Sequence, residues 1–231
     1  MNIDVVDLNE FYRSALSNNA QNIIKKLLLR LRKADKNKRT LFVGFGTPYA
    51  EQTQNEFLLM QAHFGAIAWP SSKENRVLLA YESEWAFTDH IFDEIIIIHG
   101  LEYAQHAGEL LKECYRCLCP EGRIIIIAPN RRGVWVRSDK TPFGFGEPYS
   151  LTQLSQLLKK CNFIPVDAMR GLYTLPTSTR IGNFWAWIFE RIAPCALQKF
   201  SGLVGVAAVK RVYGGIPAKK FEKEQRVAVP C

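Results

Sequence analysis

The sequence has no apolar run near the roughly 18 residues that a membrane-crossing helix requires, so no transmembrane segment is expected. Its first stretch, MNIDVVDLNEFYRS, carries acids early and lacks the apolar core of a secretory leader. Internal repeats and low-complexity linkers are also missing, which leaves no obvious point at which to divide the chain. Cysteine is sparse, with six in 231 residues, and does not form the framework of a small disulfide-rich protein. Cys114, Cys117 and Cys119 cluster as CYRCLC, but no second pair at zinc spacing accompanies them. Leu110, Leu111, Cys114 and Leu118 share one face of a helical pattern, so these thiols read as small core residues and no metal site is expected. Reduced thiols without a leader point to the cytoplasm.

What is present is an ordinary globular composition, 48% hydrophobic and 23% charged, with a net charge of +8. The positive charge is uneven. Lys25, Lys26, Arg30, Arg32, Lys33, Lys36, Lys38 and Arg39 crowd one segment, and Lys219, Lys220, Lys223 and Arg226 lie near the end. Such runs are usually solvated helix faces and loose tails; the alternatives are contacts with an acidic partner, nucleic acid or a membrane surface.

Residues 5–33 read as one or two helices, broken near Ser17–Asn19. Apolar runs then follow at Leu41–Val43, Phe57–Met60, Val77–Ala80, Ile95–Ile98 and Ile124–Ile127. Continuous runs, unlike alternating ones, fit parallel strands buried on both faces. With helical segments between them they predict βαβ units in an α/β sheet. YSLTQLSQLLKKC is an amphipathic helix with Ser150 as its N-cap and Leu151, Leu154, Leu157 and Leu158 as its inner stripe. FIPVDAMRGLYTLP and GLVGVAAVKRVYG would pair as two late strands around an aromatic-rich helix that includes Phe184, Trp185, Ile188, Phe189 and Ile192. That helix reads as core, with a dimer contact or membrane-surface face as alternatives. The expected organisation is one domain over 1–213, with a helical segment at 1–35, a loop at 130–150 that would act as a lid, and a weakly ordered basic tail at 214–231.

Three stretches carry a family resemblance. FDEIIIIHGLEY resembles a fourth strand and its turn, LLKECYRCLCPEGRIIIIAPN resembles the helix and strand that follow, and LFVGFGTPYAE stands where a glycine motif belongs. In order and spacing, residues 38–130 resemble class I S-adenosylmethionine-dependent methyltransferases of the methyltransferase-11-like group. The resemblance implies a single Rossmann-like domain with a seven-stranded, mostly parallel sheet, an antiparallel last strand and helices on both faces. It also implies S-adenosylmethionine as cofactor, bound outside the carboxyl ends of the strands.

The glycine motif departs from the family pattern. Phe42 stands where an acid is usual, and Gly44 and Gly46 are followed by Pro48 in place of a third glycine. A helix starting at Pro48 with Thr47 as its cap would suit the turn. The ribose-binding acid falls on Met60 or Gln61, and the acid after the third strand falls on Tyr81, beside Glu82. The expected cofactor contacts are therefore Gly44, Gly46, Thr47, Gln61, Tyr81 and Glu82. Losing a charge-assisted hydrogen bond costs about 1.5–3 kcal/mol, so weakened cofactor binding is expected.

His99, after the fourth strand, is the candidate catalytic base, or else a histidine held by its neighbours. Asp93 begins that strand at the opposite edge and reads as structural, while Glu102 would interact with the positive end of the next helix. In the loop at 130–150, Asn130, Arg131, Trp135, Phe143 and Tyr149 would form a substrate wall that accepts an acidic or phosphorylated ligand. The sequence lacks a [DN]-P-P-[YF] motif and a Pro-Cys nucleophile, which by resemblance argues against adenine or glutamine amino-methylation and cytosine C5 methylation. The leading expectation is a methyltransferase of unidentified substrate. The alternative is a non-catalytic methyltransferase-like module that binds a protein, a membrane surface or RNA.

Overall fold

The computed structural model describes residues 3–33, 35, 37–71, 73–139, 141–174, 176 and 200–211. The aromatic-rich helix expected around Phe184–Ile192 and the tail from Gly214 lie outside the described residues.

Two N-terminal helices, α1 (Val5–Arg13) and α2 (Ser17–Leu31), precede the first strand. Asp4 caps α1 through a reciprocal capping box with Asp7. The break between the helices falls at Ser14–Leu16, just before the predicted Ser17–Asn19. Strands β1 (Thr40–Gly44), β2 (Glu56–Gln61), β3 (Val77–Ala80), β4 (Phe92–Ile98), β5 (Leu118–Pro129), β6 (Phe163–Gly171) and β7 (Leu203–Lys210) form one sheet in the order β3-β2-β1-β4-β5-β7-β6. The pairings from β3 through β5 are parallel, while β7 runs antiparallel to both β5 and β6. Helix α3 (Ala107–Cys117) leads directly into β5, and α4 (Leu151–Lys160), capped by Ser150, leads into β6.

The apolar runs are continuous because each central strand buries both faces. Phe42, Leu58, Met60, Ile96, Ile98, Ile125 and Ile127 meet the inner faces of α1 and α2. Leu41, Val43, Ile95, Ile97, Ile124 and Ile126 meet α3 and α4, where Cys114 and Cys117 are buried among leucines. Burial pushes the Cys114 thiol up and the Cys117 thiol up to about 11, so both are neutral packing groups at pH 7.

One expectation fails in a consequential way. No helix starts at Pro48, and Thr47 caps none: residues 47–49 are turn, and the chain runs without a helix to Glu56. Among the described residues the β2–β3 and β3–β4 connections also lack an α-helix. Parallel strands are usually joined through a helix that covers the sheet. Here α1 packs on the turn after β1 and on Met60 of β2, while α2 packs on β5, β7 and β6.

Candidate functional site

Gly44 ends β1 with φ +87°, a conformation that L side chains rarely adopt. A Cβ there would lie 2.4 Å from the Ile98 carbonyl oxygen and 2.7 Å from the Gly100 nitrogen. The turn after β1 and the turn after β4 thus touch backbone to backbone, and the Phe45 amide donates to the Ile98 carbonyl at 2.8 Å. Gly46 has a different neighbour. A Cβ on it would meet Phe42 Cβ at 2.5 Å, so the second glycine makes room for the ring that stands where the family pattern has an acid.

The turn is roofed by α1. Val5, Leu8, Phe11 and Tyr12 are the buried face of that helix. The space bounded by Val5, Leu8, Gly44, Phe45, Met60, Phe64 and Gly65 is too tight to admit a water molecule. Tyr12 stacks on Phe45 at a centroid distance of 5.3 Å and meets Tyr49 edge-on at 6.0 Å. Phe143 closes the far side, 5.0 Å from the His99 ring and 5.9 Å from Phe11.

A buried chain of polar groups runs under this roof. Tyr49 donates to the Tyr12 hydroxyl at 3.0 Å, Tyr12 lies 2.7 Å from His99 Nε2, and His99 Nδ1 lies 2.9 Å from Glu102 Oε1. Burial, foremost among the causes, pushes both tyrosine hydroxyls far above their ordinary range, so both stay protonated. One proton arrangement serves all three contacts: Tyr49 donates to Tyr12, Tyr12 donates to Nε2, and Nδ1–H donates to Glu102. His99 itself has φ +53°, in the left-handed region, a strain of the kind that recurs at functional sites. Glu102 does not lie at a helix start as expected; α3 begins at Ala107, and the carboxylate is buried on His99.

A second polar group lies at the carboxyl ends of β2 and β3. Gln61 Nε2 reaches Glu82 Oε1 at 3.4 Å, the Gln105 amide donates to the same oxygen at 3.2 Å, and His63 Nδ1 lies 3.5 Å away. Gln61 and Glu82 are buried, whereas Tyr81 is 68% exposed. Gln61 Oε1 and Glu102 Oε2 are buried acceptors without a protein partner among the described residues. Their chemistry calls for donors, such as the hydroxyls of a ribose or the amine of an amino acid. Gln61 and Glu82, two of the expected cofactor contacts, thus lie together and buried, while the space at the glycine turn is filled by Phe42, Phe45 and α1.

The loop at 130–150 contributes unevenly. Phe143 and, behind it at 5.6 Å, Trp135 are buried against the site. Asn130 instead ties the loop to the segment just before β7, donating to the Ser201 carbonyl and hydroxyl. The Arg131 amide donates to the Tyr149 carbonyl at the loop's base, and the Arg131 side chain is exposed. Burial pushes the Tyr149 hydroxyl up to about 12. Asp93 accepts from the Arg39 amide at the amino edge, the structural role expected of it.

The residues missed in the sequence are Tyr12, Phe45, His63 and, as a partner of His99, Glu102. The available signal was the spacing of Leu8, Phe11 and Tyr12 on one face of a helical segment, which marked α1 as packed against something.

Comparison with known proteins agrees with this geometry. The Methyltransferase domain family, methyltransferase-11 type, matches residues 43–126, from the glycine turn through β5. Among solved structures, a SAM-dependent methyltransferase from Thermotoga maritima superposes with a TM-score of 0.62 at 14% identity, covering 90% of this chain and 96% of that one. One from Aquifex aeolicus gives 0.61 at 15%, covering 90% and 100%. One from Archaeoglobus fulgidus gives 0.56 at 15%, also covering 90% and 100%. At these identities the likeness establishes the fold. No curated protein matches the sequence.

Proposed function

We propose that this chain, a member of the class I S-adenosylmethionine-dependent methyltransferase family, methylates a substrate that enters beside His99 once α1 has lifted from the glycine turn. The observation that carries the reading is the unpaired, buried Gln61 Oε1 beside Glu82 at the strand ends where this fold binds its cofactor. Bound S-adenosylmethionine supplies an electrophilic methyl group on a sulfonium. Gln61 would accept from its ribose hydroxyls, Glu82 and His63 would border its polar end, and Gly44 would let the backbone approach. Thr47, in the turn after Gly46, would border the same end of the cradle, and exposed Tyr81 would stack only from outside.

His99 would act on the methyl acceptor. Glu102 holds Nδ1–H, which leaves Nε2 free to take a proton from an acceptor N–H or O–H, and the carboxylate would stabilise the resulting imidazolium. In the closed form the Tyr12 hydroxyl occupies Nε2. Lifting α1 would therefore uncover the cofactor cradle and the base together. Phe143 and Trp135 would remain as an apolar wall that excludes water. Asn130, Arg131 and Tyr149, at the loop's base, would shape the entrance for the acceptor.

The closed form makes binding weaker, because only the open fraction is competent. Each large apolar side chain of α1 contributes about 1.5–3 kcal/mol when buried, whereas one net hydrogen bond contributes about 0.5–1.5 kcal/mol. The apolar face of α1 therefore dominates the closure, and Tyr12 tunes it.

Isothermal titration with S-adenosylhomocysteine tests the reading. Heat that saturates for the wild type, and is lost in Gln61→Leu, is expected. The sealed glycine turn favours a second reading, a methyltransferase-like module without catalysis. It predicts no heat from either the wild type or a variant with a loosened α1.

A further inference from the structure

We propose that the outer face of α2, together with the adjoining edge of β6, is a docking surface for an anionic phospholipid bilayer. Helix α2 contains no acidic residue. Its buried positions, including Ile23, Ile24, Leu27, Leu28 and Leu31, hold it on the sheet. The opposite stripe, Asn18, Asn22, Lys25, Lys26, Leu29 and Arg30, is exposed and continues through Lys33. Leu29 stands in the middle of that stripe at 78% exposure, where it adds nothing to a helix already packed on its other side.

The neighbouring surface has the same character. β6 is one of the two edge strands of the sheet. Its Met169 and Arg170 join Lys26, Leu29 and Arg30 around a recess of about 340 Å³. Val166, 45% exposed, lies with Lys33 and Arg211 on a second recess of about 580 Å³. The acids nearby are exposed Asp35 and Glu51 and buried Glu56, which line a third recess with Leu29, Arg32, Lys33 and Lys38, exposed Asp167, Asp93 at the second recess, and Glu121 there, 4.0 Å from Arg211. Cations outnumber acids, and the apolar side chains stand between the cations.

That mixture fits lipid better than nucleic acid. Binding of single strands relies on exposed aromatic rings for base stacking; α2 carries no aromatic residue, and Tyr173, which lines the first recess, is partly buried. A projecting leucine ringed by lysine and arginine suits shallow insertion. The long cationic side chains reach the headgroups while their stems cover apolar surface. Each cation near an anionic surface is worth about fivefold in affinity.

Cosedimentation of the whole chain with vesicles of phosphatidylcholine, alone or mixed with phosphatidylglycerol, tests the proposal. Binding is expected only to the mixed vesicles, and it should fall steeply as salt is added. The double variant Lys26→Glu/Arg30→Glu should bind at least about 25-fold more weakly. Leu29→Ser should bind several-fold more weakly with the salt dependence unchanged. Both variants should melt like the wild type, since the altered side chains are exposed. A variant with Lys219, Lys220 and Lys223 changed to Ala should retain most binding. Absence of binding to mixed vesicles at low salt would overturn the proposal. So would a loss of binding that follows the tail lysines instead of α2, or RNA binding by α2 without vesicle binding.

Discussion

Tyr12 and His99, 87 residues apart in sequence, share a buried hydrogen bond of 2.7 Å that fastens the first helix to the turn after the fourth strand. The same hydroxyl accepts from Tyr49 and its ring stacks on Phe45, so one side chain covers both the glycine turn and the imidazole. Under the proposed function, closure of the site and masking of its base would be one event.

Replacing Tyr12 by Phe removes that bond and leaves His99 Nε2 buried without a donor. The expected loss is about 1–3 kcal/mol of stability, the desolvation cost of one unsatisfied buried group. Urea unfolding with an unchanged slope measures it. Tyr49→Phe should cost less, because Tyr12 keeps His99 satisfied.

Gly46→Ala drives a methyl group into Phe42, with Cβ atoms 2.5 Å apart. Overpacking of this kind typically costs about 1–3 kcal/mol. In a Phe42→Ala background, which removes the ring atoms at 2.9 and 3.0 Å but keeps Cβ, Gly46→Ala should cost less, and a double-mutant cycle reads the coupling. Gly44→Ala should have no such rescue, because its methyl would meet fixed backbone and its φ of +87° excludes it.

Glu94, on β4, illustrates a sign that the contact alone would get wrong. It pairs with Arg32 at 2.7 Å, yet burial outweighs the guanidinium and raises its carboxyl above the ordinary range. Between the ordinary and the raised value the folded state holds the extra proton. Stability therefore falls as pH rises through that window, and the contribution is fully present below it. Glu94→Gln, which keeps an acceptor for Arg32, should flatten this slope. Chemical denaturation from pH 4 to 8 is the measurement, and a slope of the opposite sign in the wild type would refute the assignment.

The sheet was legible in the sequence because β1, β4 and β5 bury both faces and so leave unbroken runs such as Ile95–Ile98 and Ile124–Ile127. β7 and β6 were legible as a late pair, and Ser150 as a cap, because these are local patterns. The helix at Pro48 was not formed, because a proline at a first turn permits a helix without requiring one. The residues around 47–55 have no apolar stripe to hold a helix on the sheet. Gln61 and Glu82 were reached by counting from the strands, since strand ends fix where their next residues go. Tyr12 was out of reach: its partners come from the turns after β1 and β4, and the Phe143 that closes over them comes from the loop at 130–150. Only the packed fold brings those segments to α1.

The central claim is that S-adenosyl ligands bind at Gln61 and Glu82 in competition with closure by α1. The most direct measurement is the dissociation constant of S-adenosylhomocysteine for the wild type and for Tyr12→Phe, side by side. Loss of the Tyr12 bond weakens the closed form by about 1 kcal/mol or more, so the variant should bind about fivefold tighter or better. Equal or weaker binding by the variant, or no binding by either protein, would contradict the account.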